Sequence, residues 1–323
     1  MSEARLWTYV LRRTLQLIPL FLLIIVFAFV LVHVAPGDPI SLLAGEHGDP
    51  QYYELMRKKF GLDRPIYEQL LAYVSAVLQG DLGHSVLYQV SISSLILERL
   101  ENTVFLMIGA TLVYVPLGVG LGVLSSVKPR SMMDTTITSL TLVGYSIPIW
   151  WLGMVLLLVF SLWLGWFPVR PETIVTGGII ERIVVTLHGL FLPSITLAMS
   201  YMAFTARLTR SCMLQTLSKD FITAAWAKGL SQRQVLIQHA LRNSLLPVLS
   251  LVFMNFGYMF GGAMLTETVF SWPGIGTLLF DAVRQRDYPV IMGVFVEASS
   301  AVLLINLVTD VLYCVIDPRV RYQ

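Results

Sequence analysis

The sequence predicts an all-α polytopic membrane protein with six transmembrane helices. Three observations carry that reading. Of the 323 residues, 56% are hydrophobic and only 13% are charged, against about 25% charged in an average soluble domain. The apolar residues gather in six runs of roughly 20 or more, each long enough to cross a hydrocarbon core about 30 Å thick. One polar, basic stretch, 219–247, separates the fourth run from the fifth and must form a loop on one face of the membrane.

The first run, Leu15 to Val34, follows Arg12 and Arg13, and His33 is its only ionisable residue. It is longer than the 7–15 residues or so of a signal-peptide core. No small-x-small cleavage site follows it, so it reads as an uncleaved span. The others run roughly Val104 to Val127, Thr135 to Leu164, Val184 to Ala206, Leu245 to Thr266 and Val290 to Val315. Each is predicted to be helical, because a spanning segment must satisfy its own backbone hydrogen bonds. Pro116, Pro148 and Pro193 fall inside spans, where each removes a backbone donor. They are either packing kinks or breaks that line a path.

Six spans put both termini on one side. Thirteen of the 22 Lys and Arg residues fall on that side, six of them at Arg207, Arg210, Lys219, Lys228, Arg233 and Arg242. The bias predicts that both termini and the 207–242 segment are cytoplasmic. Three parts follow: a cytoplasmic N-terminus with the first span (1–35), an external helical loop (36–101), and a five-helix core (102–323) holding the cytoplasmic loop 215–245. In the external loop, Asp49-Pro50 starts a helix that Gly61 closes, and Pro65 opens another. Ile66, Leu70, Tyr73, Val74, Val77 and Leu78 form one face of that second helix. This stripe packs on the protein itself, lies at the lipid interface, or receives an external partner.

Several chemistries are excluded. Gly-Lys occurs nowhere, which removes a Walker A phosphate loop, and no HExxH zinc motif is present. His33, His47, His84, His188 and His239 are scattered without metal-ligand spacing. Gly144-Tyr145-Ser146 lacks the third glycine of a nucleophile elbow, because Pro148 stands in its place. Cys212 and Cys314 read as free thiols. No basic stripe with interleaved aromatics marks a nucleic-acid surface. The chain is read as having no catalytic residues, no metal site and no cofactor of its own.

The polar stretch is built differently from a merely solvated loop. Ala224 and Ala225 are small enough for close approach to another backbone. Gly229 permits a left-handed helix end and a sharp exit. Asp220 sits where a carboxylate favours the positive end of a helix dipole. Ser231 and Gln234 have the spacing of a capping box. The prediction is a helix from Asp220 to Lys228, a turn, and a second helix from Gln232 to about Asn243. A knob of this shape fits a cleft in another protein, so the chain reads as a subunit moved by a partner.

At this point the segment TAAWAKGLSQRQVLIQHALRNSLLP (223–247) resembles the EAA loop of ABC importer permeases, the membrane subunits of binding-protein-dependent systems. Ala224, Ala225 and Gly229 match that pattern, with Thr223 in place of its Glu. The second half departs: His239-Ala240-Leu241-Arg242 stands where Ile-x-Leu-Pro is usual, and a proline comes only at Pro247. That variant resembles the dipeptide/oligopeptide/nickel branch. LRRTLQLIP (11–19), HVAPGDP (33–39), FGLDRPIYEQ (60–69), GDLGHS (80–85), GYSIPIWWLG (144–153), LTETVFSWPGIG (265–276), RDYPV (286–290) and DPRVR (317–321) resemble B-type subunits of dipeptide permeases, in order and along nearly the whole chain.

The resemblance implies the type I ABC importer permease (MetI-like) fold, in a bacterial or archaeal cytoplasmic membrane. It implies half of a translocation pathway, completed by a second homologous permease subunit. It also implies two cytoplasmic ABC ATPase subunits carrying ATP and Mg, and an extracytoplasmic solute-binding protein. Asp220, Thr223, Ala224, Ala225, Lys228, Gly229, Leu230, Ser231 and Arg233 would then form the ATPase-coupling site. The solute would be a di- or oligopeptide, with nickel or another small solute as the alternative.

Polar groups inside spans are functional candidates by default. Asn255, Glu267, Glu297, Asn306 and Asp310 are such groups, and Trp272-Pro273-Gly274 beyond the fifth span reads as a re-entrant turn or external gate. Each acid could equally hydrogen-bond a neighbouring helix. Gly118/Gly122 and Gly257/Gly261 form two GxxxG pairs that predict close helix packing, in this chain or against a partner permease. A secondary transporter would need a coupling-ion site and inverted repeats, and neither is evident. A passive membrane anchor would not need prolines and acids within its spans.

Overall fold

The computed structural model describes residues 3–34, 54, 63–85, 87–171 and 178–316. All regular elements among them are helical, apart from an isolated antiparallel bridge between His84 and Ser91. In chain order they are α1 (Glu3–Val34), α2 (Ile66–Leu78), α3 (Ile92–Val127), α4 (Met132–Ser146) and α5 (Ile149–Leu156), which continues as a π-helix, π1 (Leu157–Trp163). Then come α6 (Ile179–Leu217), α7 (Asp220–Ala227), α8 (Gln232–Gln234), a second π-helix, π2 (Val235–Leu241), α9 (Arg242–Phe270), α10 (Ile275–Gln285) and α11 (Tyr288–Ile316). The helix expected between Pro50 and Gly61 and the tail with Arg319 and Arg321 lie outside the described residues, Glu54 aside.

Among the described residues, five helical stretches are long and apolar enough to span a membrane, and the α4–α5 pair makes a sixth when counted as one bent span. The third run is therefore not one helix from Thr135 to Leu164. It breaks with a 97° bend between Ser146 and Ile149. Ile147 takes φ −77°, ψ 126°, the extended conformation that a following proline ring favours. Pro116 and Pro193, by contrast, stay inside continuous helices. A further correction falls in the loop. The helix expected to stop near Asn243 runs on through π2 into α9, so 232–270 is one apolar-capable stretch.

The chain divides into two compact units: residues 1–102 with 273–307, and residues 103–272 with 308–323. In the first unit, Ile25 and Ala28 of α1, Val77 of α2 and Val296 of α11 form a buried cluster, with Phe21, Tyr73, Val74, Leu82 and Phe295 packed on it. The stripe of α2 thus packs on its own protein at Tyr73, Val74 and Val77, while Ile66 and Leu78 at its ends are exposed. Burial pushes the Tyr73 phenol up to about 12, so it stays neutral. His33 of α1 is satisfied: its Nδ1 donates to the Phe29 carbonyl at 2.8 Å.

The same unit joins two segments far apart in sequence. Ser85 Oγ donates to Asp287 Oδ2 at 2.5 Å, and the Leu87 amide donates to the same oxygen at 3.2 Å. Asp287 is 3% exposed and also caps α11, its Oδ1 accepting from the Val290 amide at 3.5 Å. A buried carboxylate is tolerated because these donors replace its hydration.

The second unit is a bundle around α6, on which α4, α5 and α9 all pack. On α3, Gly118 lies against Thr205 and Gly122 against Thr209 of the same chain. The first GxxxG pair is therefore used within this subunit. The second pair divides: Gly257 is buried, and Gly261 faces open space.

Candidate coupling site

The polar stretch folds much as its local signals dictate. α7 starts after Lys219, with Asp220 in its first turn. It ends in a Schellman arrangement: the Gly229 amide donates to Trp226 O at 2.9 Å, and the Leu230 amide donates to Ala225 O at 3.4 Å. That motif needs a left-handed residue at its centre, and Gly229 supplies it with φ +75°. Ser231 then caps α8. Its Oγ accepts from the Gln234 amide, and Gln234 Oε1 accepts from the Ser231 amide at 3.0 Å, closing the capping box.

α7 is seated by a small apolar core. Ile222 and Ala225, three residues apart on one face, are buried together with Met213 of α6 and Val235 and Ala240 of π2. Val123, Leu217, Leu230, Leu236 and Leu241 pack against that core. The two alanines therefore divide. Ala225 faces inward, where a larger side chain would lift α7 off α6, and Ala224 faces out. Thr223, Ala224, Lys228, Gly229, Ser231 and Arg233 are exposed, as is Asp220. Phe221 and Trp226, which the sequence reading did not single out, are 41% and 45% exposed. Large aromatics left on a small projecting helix are typical anchors at protein interfaces.

π2 follows directly and lies between the knob and α9. π-helical insertions recur at functional sites, and nothing in the local sequence announced this one. Ser244, just beyond it, bonds Thr216 Oγ1 of α6 at 3.0 Å and Ala240 O at 2.9 Å.

The pathway candidates lie in different surroundings. Asn255 is buried in α9, and its Nδ2 has no hydrogen-bond partner among the described residues. Glu267 is wholly buried, and Thr103 Oγ1 donates to its Oε1 at 2.7 Å. Ser271 ends α9 in the left-handed region (φ 53°), which lets the Trp272 amide turn back to Glu267 O at 2.9 Å. Trp272 itself is 3% exposed and lies beside Gly189, so it is a packed side chain. Pro273 O accepts from Asn102 Nδ2 at 3.0 Å, and Gly274 precedes α10. On α11, Glu297 and Asp310 are half-buried and Asn306 is exposed.

Sequence reasoning missed one pair. Arg210 of α6 and Asp134 of α4 form a two-pronged ion pair at 2.7 Å on both prongs. A signal was present, because Ser131-x-x-Asp134 has capping-box spacing, and Ser131 does cap α4.

Comparison with known proteins agrees with this architecture. Residues 115–322 match the family of binding-protein-dependent transport system inner membrane components, and residues 6–107 match the N-terminal part of such membrane components. The chain is 40% identical over 317 residues to the oligopeptide transport system permease protein AppB of Bacillus subtilis, covering 97% of this chain and 99% of that one. It is 39% identical over 314 residues to the probable peptide ABC transporter permease protein y4tP of Sinorhizobium fredii, covering 97% and 99%. It is 37% identical over 336 residues to the dipeptide transport system permease protein DppB of Escherichia coli K12, covering 98% and 99%.

Among solved structures, the inward-facing MetNI methionine ABC transporter aligns with TM-score 0.56 at 18% identity, over 69% of this chain and 96% of that one. An amino acid ABC transporter solved with histidines aligns with TM-score 0.50 at 14% identity, over 68% and 94%. These two likenesses carry the fold, which is that of ABC importer permeases. From the helical spans, the full-length relatives and the family match together, the chain belongs to the inner membrane components of binding-protein-dependent transport systems, the non-catalytic permease subunits of ABC importers.

Proposed function

We propose that this chain forms half of the translocation pathway for di- or oligopeptides and is driven through α7 by a cytoplasmic ATPase subunit. The observation that carries the reading is full-length similarity, 37–40% over nearly the whole chain, to permeases named for peptide, oligopeptide and dipeptide transport. The assembly would contain a second homologous permease, two ATPase subunits binding ATP and Mg, and an extracytoplasmic binding protein. Both termini and α7 would lie in the cytoplasm, as the Lys and Arg distribution predicts.

The geometry of the knob supports a coupling role. α7 exposes Thr223, Ala224, Trp226 and Lys228 while Ile222 and Ala225 tie it to α6 and π2. A push on the exposed face would reach the spanning helices through that packed core, since packed interiors transmit displacement rather than absorb it. Glu297 and Asn306, two of the polar groups on α11, are proposed to face the wet pathway. Asn255, Glu267, Asp310 and the Trp272-Pro273-Gly274 turn are proposed to shape or gate it.

The test is ATP-dependent uptake by the assembled complex in proteoliposomes, using a labelled oligopeptide against unlabelled dipeptide, oligopeptide, glutathione and nickel. Competition by peptides and not by nickel supports the proposal. Competition by nickel alone would replace peptide with metal as the cargo.

A further inference from the structure

The Asp134–Arg210 pair has a geometry that points beyond helix packing. Asp134 is 4% exposed, and a carboxylate is kept at such depth only when paired and hydrogen-bonded. Besides both prongs of Arg210, it accepts from the Arg130 amide at 2.8 Å and from Thr138 Oγ1 at 3.4 Å. One side chain therefore fixes the 128–131 turn, the start of α4, and α6.

The same elements carry the seat of α7. Met213 lies one turn beyond Arg210 on α6 and is wholly buried against Ile222 and Ala225. Val123, in the last turns of α3 before the 128–131 turn, packs on the same core. Both the seat of the knob and the ion pair are thus built on α6 within a single turn, about 4.5 Å along the axis. From Asp134, α4 leads directly to the 97° bend at Pro148.

A two-pronged guanidinium–carboxylate contact fixes distance and orientation together. Apolar packing between α4 and α6 would let one slide on the other. Lys, a point charge on a flexible stem, would hold distance without orientation.

We propose that Asp134 and Arg210 are positioning residues for transport. They form a strut that carries displacement of α7, through α6, to the bent α4–α5 span, so the pair sets how much solute moves per ATP hydrolysed. The proposal rests on the coupling role assigned to α7 above.

The experiment uses the complete complex in proteoliposomes with its ATPase subunits and binding protein. Labelled oligopeptide uptake and phosphate release are measured on the same preparation for wild type, R210K and D134N. R210K keeps the charge and loses the fork, and D134N keeps the shape and loses the charge. R210K is expected to assemble at wild-type yield, keep hydrolysing ATP, and lose at least about fivefold in uptake per ATP, the lower end of typical coupling effects. D134N, where it assembles, should lose at least as much.

A purely structural pair would lower complex yield and leave uptake per ATP unchanged, which would overturn the proposal. Failure of R210K to assemble would overturn it as well. A wild-type complex without ATP-driven uptake would remove the coupling reading, and the strut with it. A coupled wild type with an unchanged R210K ratio would remove the strut alone.

Discussion

Gly122 of α3 lies so close to Thr209 of α6 that a Cβ added to it would stand 2.5 Å from Thr209 Cβ and 2.6 Å from the Ala206 carbonyl oxygen. The second obstacle is backbone and cannot rotate away. Gly122→Ala must therefore push α3 and α6 apart, at an overpacking cost of about 1–3 kcal/mol. Gly120, two residues earlier, has nothing within 4 Å of its would-be Cβ, so Gly120→Ala should be neutral or slightly stabilising. Thermal unfolding of the detergent-purified chain should show a lower midpoint for Gly122→Ala only. Equal midpoints for the two variants would refute the close packing of these helices.

Gly229 poses the opposite situation. Its surroundings are open, and only its φ of +75° resists a side chain. Gly229→Val is expected to cost about 1–2 kcal/mol in backbone strain, and its branched side chain would intrude on a docked partner. Gly229→Asn, which tolerates the left-handed region, should keep the turn. Uptake per assembled complex should fall strongly for Val and little for Asn. Normal uptake by the Val variant would separate this turn from coupling.

Asp287 holds the loop before α3 through Ser85 and Leu87. Asp287→Ala removes a charged acceptor, and each hydrogen bond to a charged group contributes about 1.5–3 kcal/mol. Hydrogen exchange of the Leu87 amide and its neighbours should accelerate markedly in that variant while α6 stays protected. Unchanged exchange at Leu87 would show that this loop is held by other contacts.

The features legible in the sequence were those set by near neighbours in the chain. The spans follow from hydropathy. The end of α7 follows from Gly229, and the start of α8 follows from Ser231 and Gln234 three positions later. The features that were not legible depend on the partner across space. Pro148 breaks its span while Pro116 and Pro193 do not, and nothing local distinguishes the three. The break also depends on packing: Gly153, just beyond it, rests against Phe270, Val269 and Thr196. Asp134 and Arg210 are 76 residues apart, so only the capping spacing of Ser131 hinted that Asp134 was more than an exposed acid. Which face of α7 is buried was open for the same reason, because Met213 and Val235, which decide it, come from other elements.

Glu297 is half-buried in the middle of α11. A carboxylate facing lipid would cost several kcal/mol, so it meets either water or protein. If it faces the pathway, Glu297→Gln should assemble normally and change the rate or substrate preference of uptake, because shape is kept and charge is lost. If it serves packing, complex yield should fall and uptake per complex should not. Measuring both quantities on one preparation decides between them.

The outward face of α7 is proposed to dock an ATPase subunit, while its inward face is tied to this chain. Ala224 and Ala225 are adjacent, and only Ala224 is exposed. The most direct measurement is thiol cross-linking in the assembled complex with cysteine placed singly at each position, in a background lacking Cys212 and Cys314. Ala224→Cys is expected to be captured by the ATPase subunit and labelled from the cytoplasmic side, whereas Ala225→Cys is expected to be captured poorly. No ATPase adduct from position 224, or labelling of it only from outside the cell, would rule out α7 as the docking element.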